Sequence, residues 1–290
     1  MRATNTAQSL TSAKPLRNLD PRRRLMRGQP LNPNAAAMLR YQRGLEALVM
    51  EMVATYEREI RKFLRKPVAS EYFAADESVS SQAKILMTEL AKRFSNLFGM
   101  KAKKLTEGMI DQASVSSAWS LKISLKDMTG GLTLKTDILT GELKDVLKAS
   151  IAENVSLIKS IPEKYHTQVE GAVMRSITSA QGGEQLIPFL RKYRGITERR
   201  ARNIANDQWV KAYSSINRVR MQKLGIRNYE WLHSGGSMHP RRIHVSYSGR
   251  IFSWDNPPLL DRKTGARAHP GEAIFCRCRA IPVLDFDKGI

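Results

Sequence analysis

Apolar positions recur every three to four residues through much of this chain. Leu45, Leu48, Val49, Met52, Val53, Tyr56, Ile60, Phe63 and Leu64 fall on one face of a helix. Pro67 stops that helix, because proline has no N–H to continue the ladder. Ala83, Leu86, Leu90, Phe94 and Leu97, continued by Leu105 and Met109, predict a second long helix over about 79–113. Over 119–136 the pattern changes to alternation. Leu121, Ile123 and Leu125 precede Gly130-Gly131, and Leu132 and Leu134 follow, which predicts a β-hairpin. Helical spacing returns over about 141–160 and 163–180, and Gly182-Gly183 marks a break. A shorter helix is expected over about 184–194, with Pro188 near its start. Thr197 is placed to cap a further helix, since its hydroxyl can accept a free first-turn N–H. That helix runs to Leu224, where Gly225 supplies a left-handed C-cap and Ile226 the accompanying apolar contact.

After Gly225 the texture changes. Tyr229, Trp231 and His233 alternate as a strand does, and so do Ile243, Val245 and Tyr247. Ser248-Gly249 turns the chain and Ile251-Phe252 returns it. Turn-rich sequence runs from Asp255 to Gly271, and 273–283 reads as a closing strand containing Cys276-Arg277-Cys278. The fold class expected is mainly α, a long-helix N-terminal body with a small α+β C-terminal module. The boundaries predicted are a basic disordered arm over 1–34, a helical region over 35–150, and a C-terminal domain over 151–290. That domain divides into a helical part, 151–225, and a mixed module, 226–290. A module of roughly 60 residues buries little surface, so a metal or a larger neighbour would help to hold it.

Charge adds a partner class. The net charge is +21 and it is segregated. Residues 1–66 hold 14 basic against 5 acidic side chains and residues 161–225 hold 12 against 5, whereas 67–160 are nearly balanced at 12 against 11. A polyanion suits such a surface. Nucleic acid fits better than membrane, because no window approaches the roughly 20 apolar residues of a spanning helix. Arg22, Arg23 and Arg24 lie in the expected arm. Arg200, Lys211 and Arg218, at spacings of 11 and 7, share a face of the last long helix and could track phosphates. A solvated leader and a solvated helix face are the plainer readings. The N-terminus is polar and shows no secretory signal.

The candidate chemistry is confined to the last segment. Cys276, Cys278, His269, His244 and His239 lie within forty positions of one another. Zinc takes four Cys or His ligands in a tetrahedron. On a flat strand the two sulfurs of Cys-x-Cys leave the same face about 7 Å apart. A bulge or turn at Arg277 would be needed to converge them. The other reading is a cysteine packed in the module core with histidines bonded to turns. Two thiols so close in sequence suit a reducing compartment rather than a disulfide between distant segments. A metal-dependent nuclease reading, with His239 or His244 as general base, would need a matching Asn. Asn256 is available, but Pro257-Pro258 follows it. No P-loop, dinucleotide fingerprint or nucleophile elbow is present.

Several of these elements occur in a recognisable order. Asn154 to Ile161 is followed by 200–205 (RARNIA), Asn217, Arg220 and 223–226 (KLGI). Tyr229 to Trp231, His239 to His244, Ser248-Gly249, His269-Pro270 and Cys276-Arg277-Cys278 complete it. Over about 150–284 the chain resembles the bacteriophage Mu F-like phage head morphogenesis family. Many members have an Asp two residues before an Arg after the Trp strand. Here that stretch is Gly236-Ser237-Met238-His239, and the role of the Asp does not carry over. The resemblance implies a non-enzymatic, low-copy minor head protein of a tailed phage. It implies a place in the capsid interior near the portal, with host cytoplasm as the assembly site. It also implies portal, major capsid or scaffold proteins and double-stranded DNA as partners. A metal-dependent DNA-processing enzyme and a free-standing non-specific DNA-binding protein are the alternatives.

Overall fold

A computed structural model describes residues 25–65, 79–128, 141–178, 186–235 and 239–285. Four long helices make the body: α1 (Ala35–Leu64), α2 (Val79–Met128), α3 (Gly141–Thr178) and α4 (Leu186–Lys223). They pack around one core in which Tyr56, Phe94, Phe98, Tyr165 and Trp209 are among the largest side chains fully removed from water. The expected apolar stripe of α1 is the face that is buried, from Leu45 through Ile60. The helix begins where Asn34 accepts the Ala37 N–H with its side-chain oxygen at 3.0 Å.

A small antiparallel sheet completes the fold. Its strands are β1 (Leu25–Arg27), β2 (Asn228–Leu232), β3 (Ile251–Ser253) and β4 (Arg279–Asp285), in the order β1-β4-β2-β3. A short helix, α5 (Arg242–Tyr247), lies between β2 and β3. The mainly α body with a small α+β C-terminal module is therefore present.

Several local expectations fail for physical reasons. Residues 119–128 continue α2 rather than starting a hairpin; 129–136 lie outside the described residues. Leu121 and Leu125 are four apart and buried, while Ile123 between them is exposed on the opposite side. Alternation over five residues is thus also a helical i, i+4 pair with one apolar residue left outside. The two helices expected over 141–160 and 163–180 are one, with Pro162 buried inside it. Likewise α4 is continuous through Thr197, whose hydroxyl donates to the Tyr193 carbonyl at 2.9 Å instead of capping a new start. Pro188 sits in the first turn of α4, where its missing N–H costs nothing. The arm expected over 1–34 is not free at its end: Leu25–Arg27 pairs with Val283–Asp285. Arg27 also reaches Glu230 on β2 at 2.7 Å.

The end of α4 is as expected. Gly225 adopts φ 75°, the Ile226 N–H donates to the Met221 carbonyl at 2.9 Å, and the Gly225 N–H donates to the Gln222 carbonyl at 3.1 Å. Ile226 is buried. The cap directs the chain straight into β2, so α4 and the module share one junction.

Candidate functional site

The two cysteines are not on a strand. β4 begins at Arg279, after both of them. The expected closing strand over 273–283 is replaced in its first half by a tight turn. The Cys276 N–H donates to the Ala273 carbonyl at 2.9 Å, and Phe275 takes φ 57°, a conformation that costs a residue with a Cβ roughly 1–2 kcal/mol. Asp207 on α4 holds this turn: its carboxylate accepts the Phe275 N–H at 2.6 Å. The turn therefore supplies the convergence that a flat strand denies to Cys-x-Cys.

The third member arrives from α5. Ile243, Val245 and Tyr247 were expected as a strand; they lie in this short helix instead, with the His244 N–H bonded to the Arg241 carbonyl at 2.9 Å. The helix turns His244 inward and leaves Val245 outside. Nδ1 of His244 lies 3.5 Å from Cys276 Sγ and 3.6 Å from Cys278 Sγ. All three residues are buried, at 4%, 4% and 3% exposure. Trp231 meets the His244 ring edge-on, at 5.3 Å between centroids and 82° between planes.

Backbone donors surround the sulfurs. The Gly271 N–H donates to Cys276 Sγ at 3.4 Å. Ser234 offers its backbone to Cys278. Of the pair, Cys276 has the lower pKa. The Cys278 hydrogen bond pushes its pKa well down, aided by His244 and Gly271 and opposed by burial. Cys278 is pushed up, first by its hydrogen bond to Cys276, then by burial and by facing the Cys276 charge. A cavity of about 470 Å³ opens beside the cluster, lined among others by Asn203, His233, His239, Arg241, His244, Cys276 and Cys278.

Not every expected ligand joins. Among the described residues, the ligand atoms of His244, Cys276 and Cys278 lie within 4.8 Å of one another, and His269 is outside this group. His269 Nδ1 sits 2.9 Å from the Tyr229 hydroxyl and the ring is also bonded to the backbone of Trp254, so its two nitrogens serve the module core. His239 is exposed and lines the cavity. The nuclease arrangement does not form around His244, which is turned to the sulfurs, and Asn256 accepts from Arg267 at 3.2 Å.

The expected phosphate-tracking face of α4 is likewise turned inward. Arg200 donates to Ser160 Oγ at 2.8 Å. Lys211 bridges Asp207 at 3.0 Å and Glu153 at 3.3 Å. Arg218 pairs with Glu272 at 3.2 Å. These three residues do share a face, but it packs on α3 and the module. Arg22, Arg23 and Arg24 lie outside the described residues. Sequence reasoning missed Asp207 and Gly271, because nothing in the local pattern signals a contact between α4 and a turn almost 70 positions later.

Residues 167–281 match the family described as Phage Mu protein F like protein. That span runs from the second half of α3 through α4 and the module, so it contains the cluster. A protein of Haemophilus influenzae, described only as uncharacterized, is 29% identical over 266 residues, which cover 90% of this chain and 56% of that protein. The chain thus spans about half the length of the curated relative it matches. No solved structure matches. The order of motifs from α3 to Cys278 and the capped α4 agree with the family match, and over residues 167–281 the chain is similar to the Phage Mu protein F like family.

Proposed function

We propose that this protein is a minor head protein of a tailed phage, built into the capsid in few copies beside the portal. The observation that carries this reading is the family match across α4 and the module. Proteins of this family are typically structural, and the helical body suits such a part. Its four helices bury one continuous core. No helix of the described residues is long and apolar enough to cross a membrane. The partners proposed are the portal protein and the major capsid or scaffold proteins. The test is mass spectrometry of purified procapsids and virions, with capture of the portal by the tagged full chain. The protein is expected at a few copies per particle; its absence from both particles overturns the reading.

Packaged double-stranded DNA is the further partner proposed, through a surface other than the face of α4. On the module Arg241, Arg242, Arg250, Arg262, Arg267 and Arg277 are exposed, against exposed Asp255 and Asp261. Binding there would be independent of sequence and would weaken with salt as counterions are released, by about 0.9 in log–log slope per phosphate contact. Replacing Arg241 and Arg242 with Ser should make the slope shallower, while Arg200→Ser should leave it unchanged. Binding insensitive to salt, or lost with Arg200→Ser alone, overturns this surface.

A further inference from the structure

We propose that His244, Cys276 and Cys278 bind a zinc ion. The geometry is that of a ligand set. With Zn–S near 2.3 Å and Zn–N near 2.0 Å, a tetrahedral site spaces its sulfur and nitrogen donors about 3.5 Å apart. The two sulfurs stand 3.5 and 3.6 Å from the imidazole Nδ1.

A purely hydrogen-bonded cluster accounts for this arrangement less well. Neutral Nδ1 has one in-plane lone pair and can accept one thiol proton. Here two sulfurs approach it equally, and both are buried, so only one thiol can be served by the imidazole and the other must turn to its neighbouring sulfur, a weak acceptor. A cation between the three donors satisfies all of them. Two thiols give up their protons to solvent, two thiolates and one neutral imidazole face the metal, and the net charge at zinc falls to zero. The N–H groups that Gly271 and Ser234 direct at the sulfurs suit thiolates, as the outer partners of metal ligands do. Soft sulfur with imidazole selects zinc over magnesium or calcium.

The fold supplies the site from separate segments. His244 rides on α5, and the cysteines on the turn that Asp207 holds against α4. A metal here would tie α5 to the start of β4. The fourth position faces the cavity lined by His233 and His239 and is left to water. His269, engaged by Tyr229, takes no part.

The test uses the full chain, purified without chelator, for metal content and then for cobalt substitution. One zinc per chain is expected. Cobalt should give a near-ultraviolet thiolate charge-transfer band that falls roughly twofold in Cys278→Ser, as one of two sulfurs is lost, and stays unchanged in His269→Gln. The band should vanish in the Cys276→Ser/Cys278→Ser double variant. A full chain that takes up cobalt without a thiolate band, or takes up neither metal, overturns the proposal, and that result does not depend on any variant folding. A band that survives in the double variant overturns it as well. The particle experiment above is independent of both outcomes.

Discussion

The helical body and the C-terminal module are held together in different ways. The body buries side chains drawn from all four of its helices, so its core is made by the elements it joins. The module core is partly borrowed. Trp231, Tyr229, Trp254 and the two cysteines come from the module, but Leu31, Leu121, Leu125, Met128, Tyr213 and Met221 come from outside it. α2 makes the loan possible. At 50 residues it is about 75 Å long at 1.5 Å per residue, enough to place Phe94 in one core and Leu121 in the other. A segment too small to bury a core of its own is thereby stabilised by docking.

The contrast is sharpest at Trp231, which is fully buried and meets His244, Tyr247 and Phe252 edge-on. Trp231→Ala is expected to cost about 3–5 kcal/mol in chemical denaturation. Because the module core includes residues of α2 and α4, the loss should appear as one transition shared with the body. A separate early transition of the module, with the helical signal unmoved, would show that the two cores are independent.

The docking surface can be struck more narrowly at Gly271. Its φ is +87°, and a Cβ there would run into the Ser214 side chain on α4 and press on Val210. Gly271→Ala should therefore cost roughly 2–4 kcal/mol, from backbone strain and overpacking together. Relief by a second change, Ser214→Gly, would be the sign that the helix contact is responsible. If the double variant is no more stable than the single one, the contact is not the cause.

His269 gives the module a pH dependence. Burial, the largest cause, holds its pKa below the usual 6.5, while Glu272 works against the shift. The unfolded chain then binds a proton that the folded chain refuses. Stability is complete above about pH 6.5 and declines as pH falls from there to the folded value, by at most about 1.4 kcal/mol per unit. His269→Gln should flatten the denaturation midpoint across that window; an unchanged slope would assign it to another group.

The smallest effect expected is a gain, in the body. Gly108 lies exposed inside α2, and a Cβ there would meet nothing within 4 Å. Gly108→Ala should stabilise by about 0.5–1 kcal/mol, since the glycine costs helix entropy and serves no contact. A loss there would mean that this face of α2 is not free.

Where the sequence was legible, one element carried its own signal. The stripe of α1 and the Gly225-Ile226 cap needed only local spacing and a residue tolerant of positive φ. Where it was not, the signal was ambiguous at short range. Leu121-x-Ile123-x-Leu125 and Ile243-x-Val245-x-Tyr247 read as strands and are helical. Period 2 over five residues cannot be told from an i, i+4 pair until one knows what covers each face. The break expected between 160 and 163 and the new start expected at Thr197 are both absent, because α3 and α4 run on through them. The three basic residues of α4 were rightly placed on one face, but spacing does not say whether water or Ser160, Glu153, Asp207 and Glu272 lie opposite.

By itself, then, the sequence determined the helical body, the change of texture at Gly225 and the small set of residues able to hold a metal. Each follows from periodicity, backbone freedom or side-chain chemistry, which are local properties. The tertiary structure decided which members of that set meet. His244 and the cysteines converge because Asp207 holds a turn with Phe275 at positive φ, and His269 is withdrawn because Tyr229 bonds it. Both outcomes depend on contacts between residues some 40 to 70 positions apart, and only the folded chain brings these together.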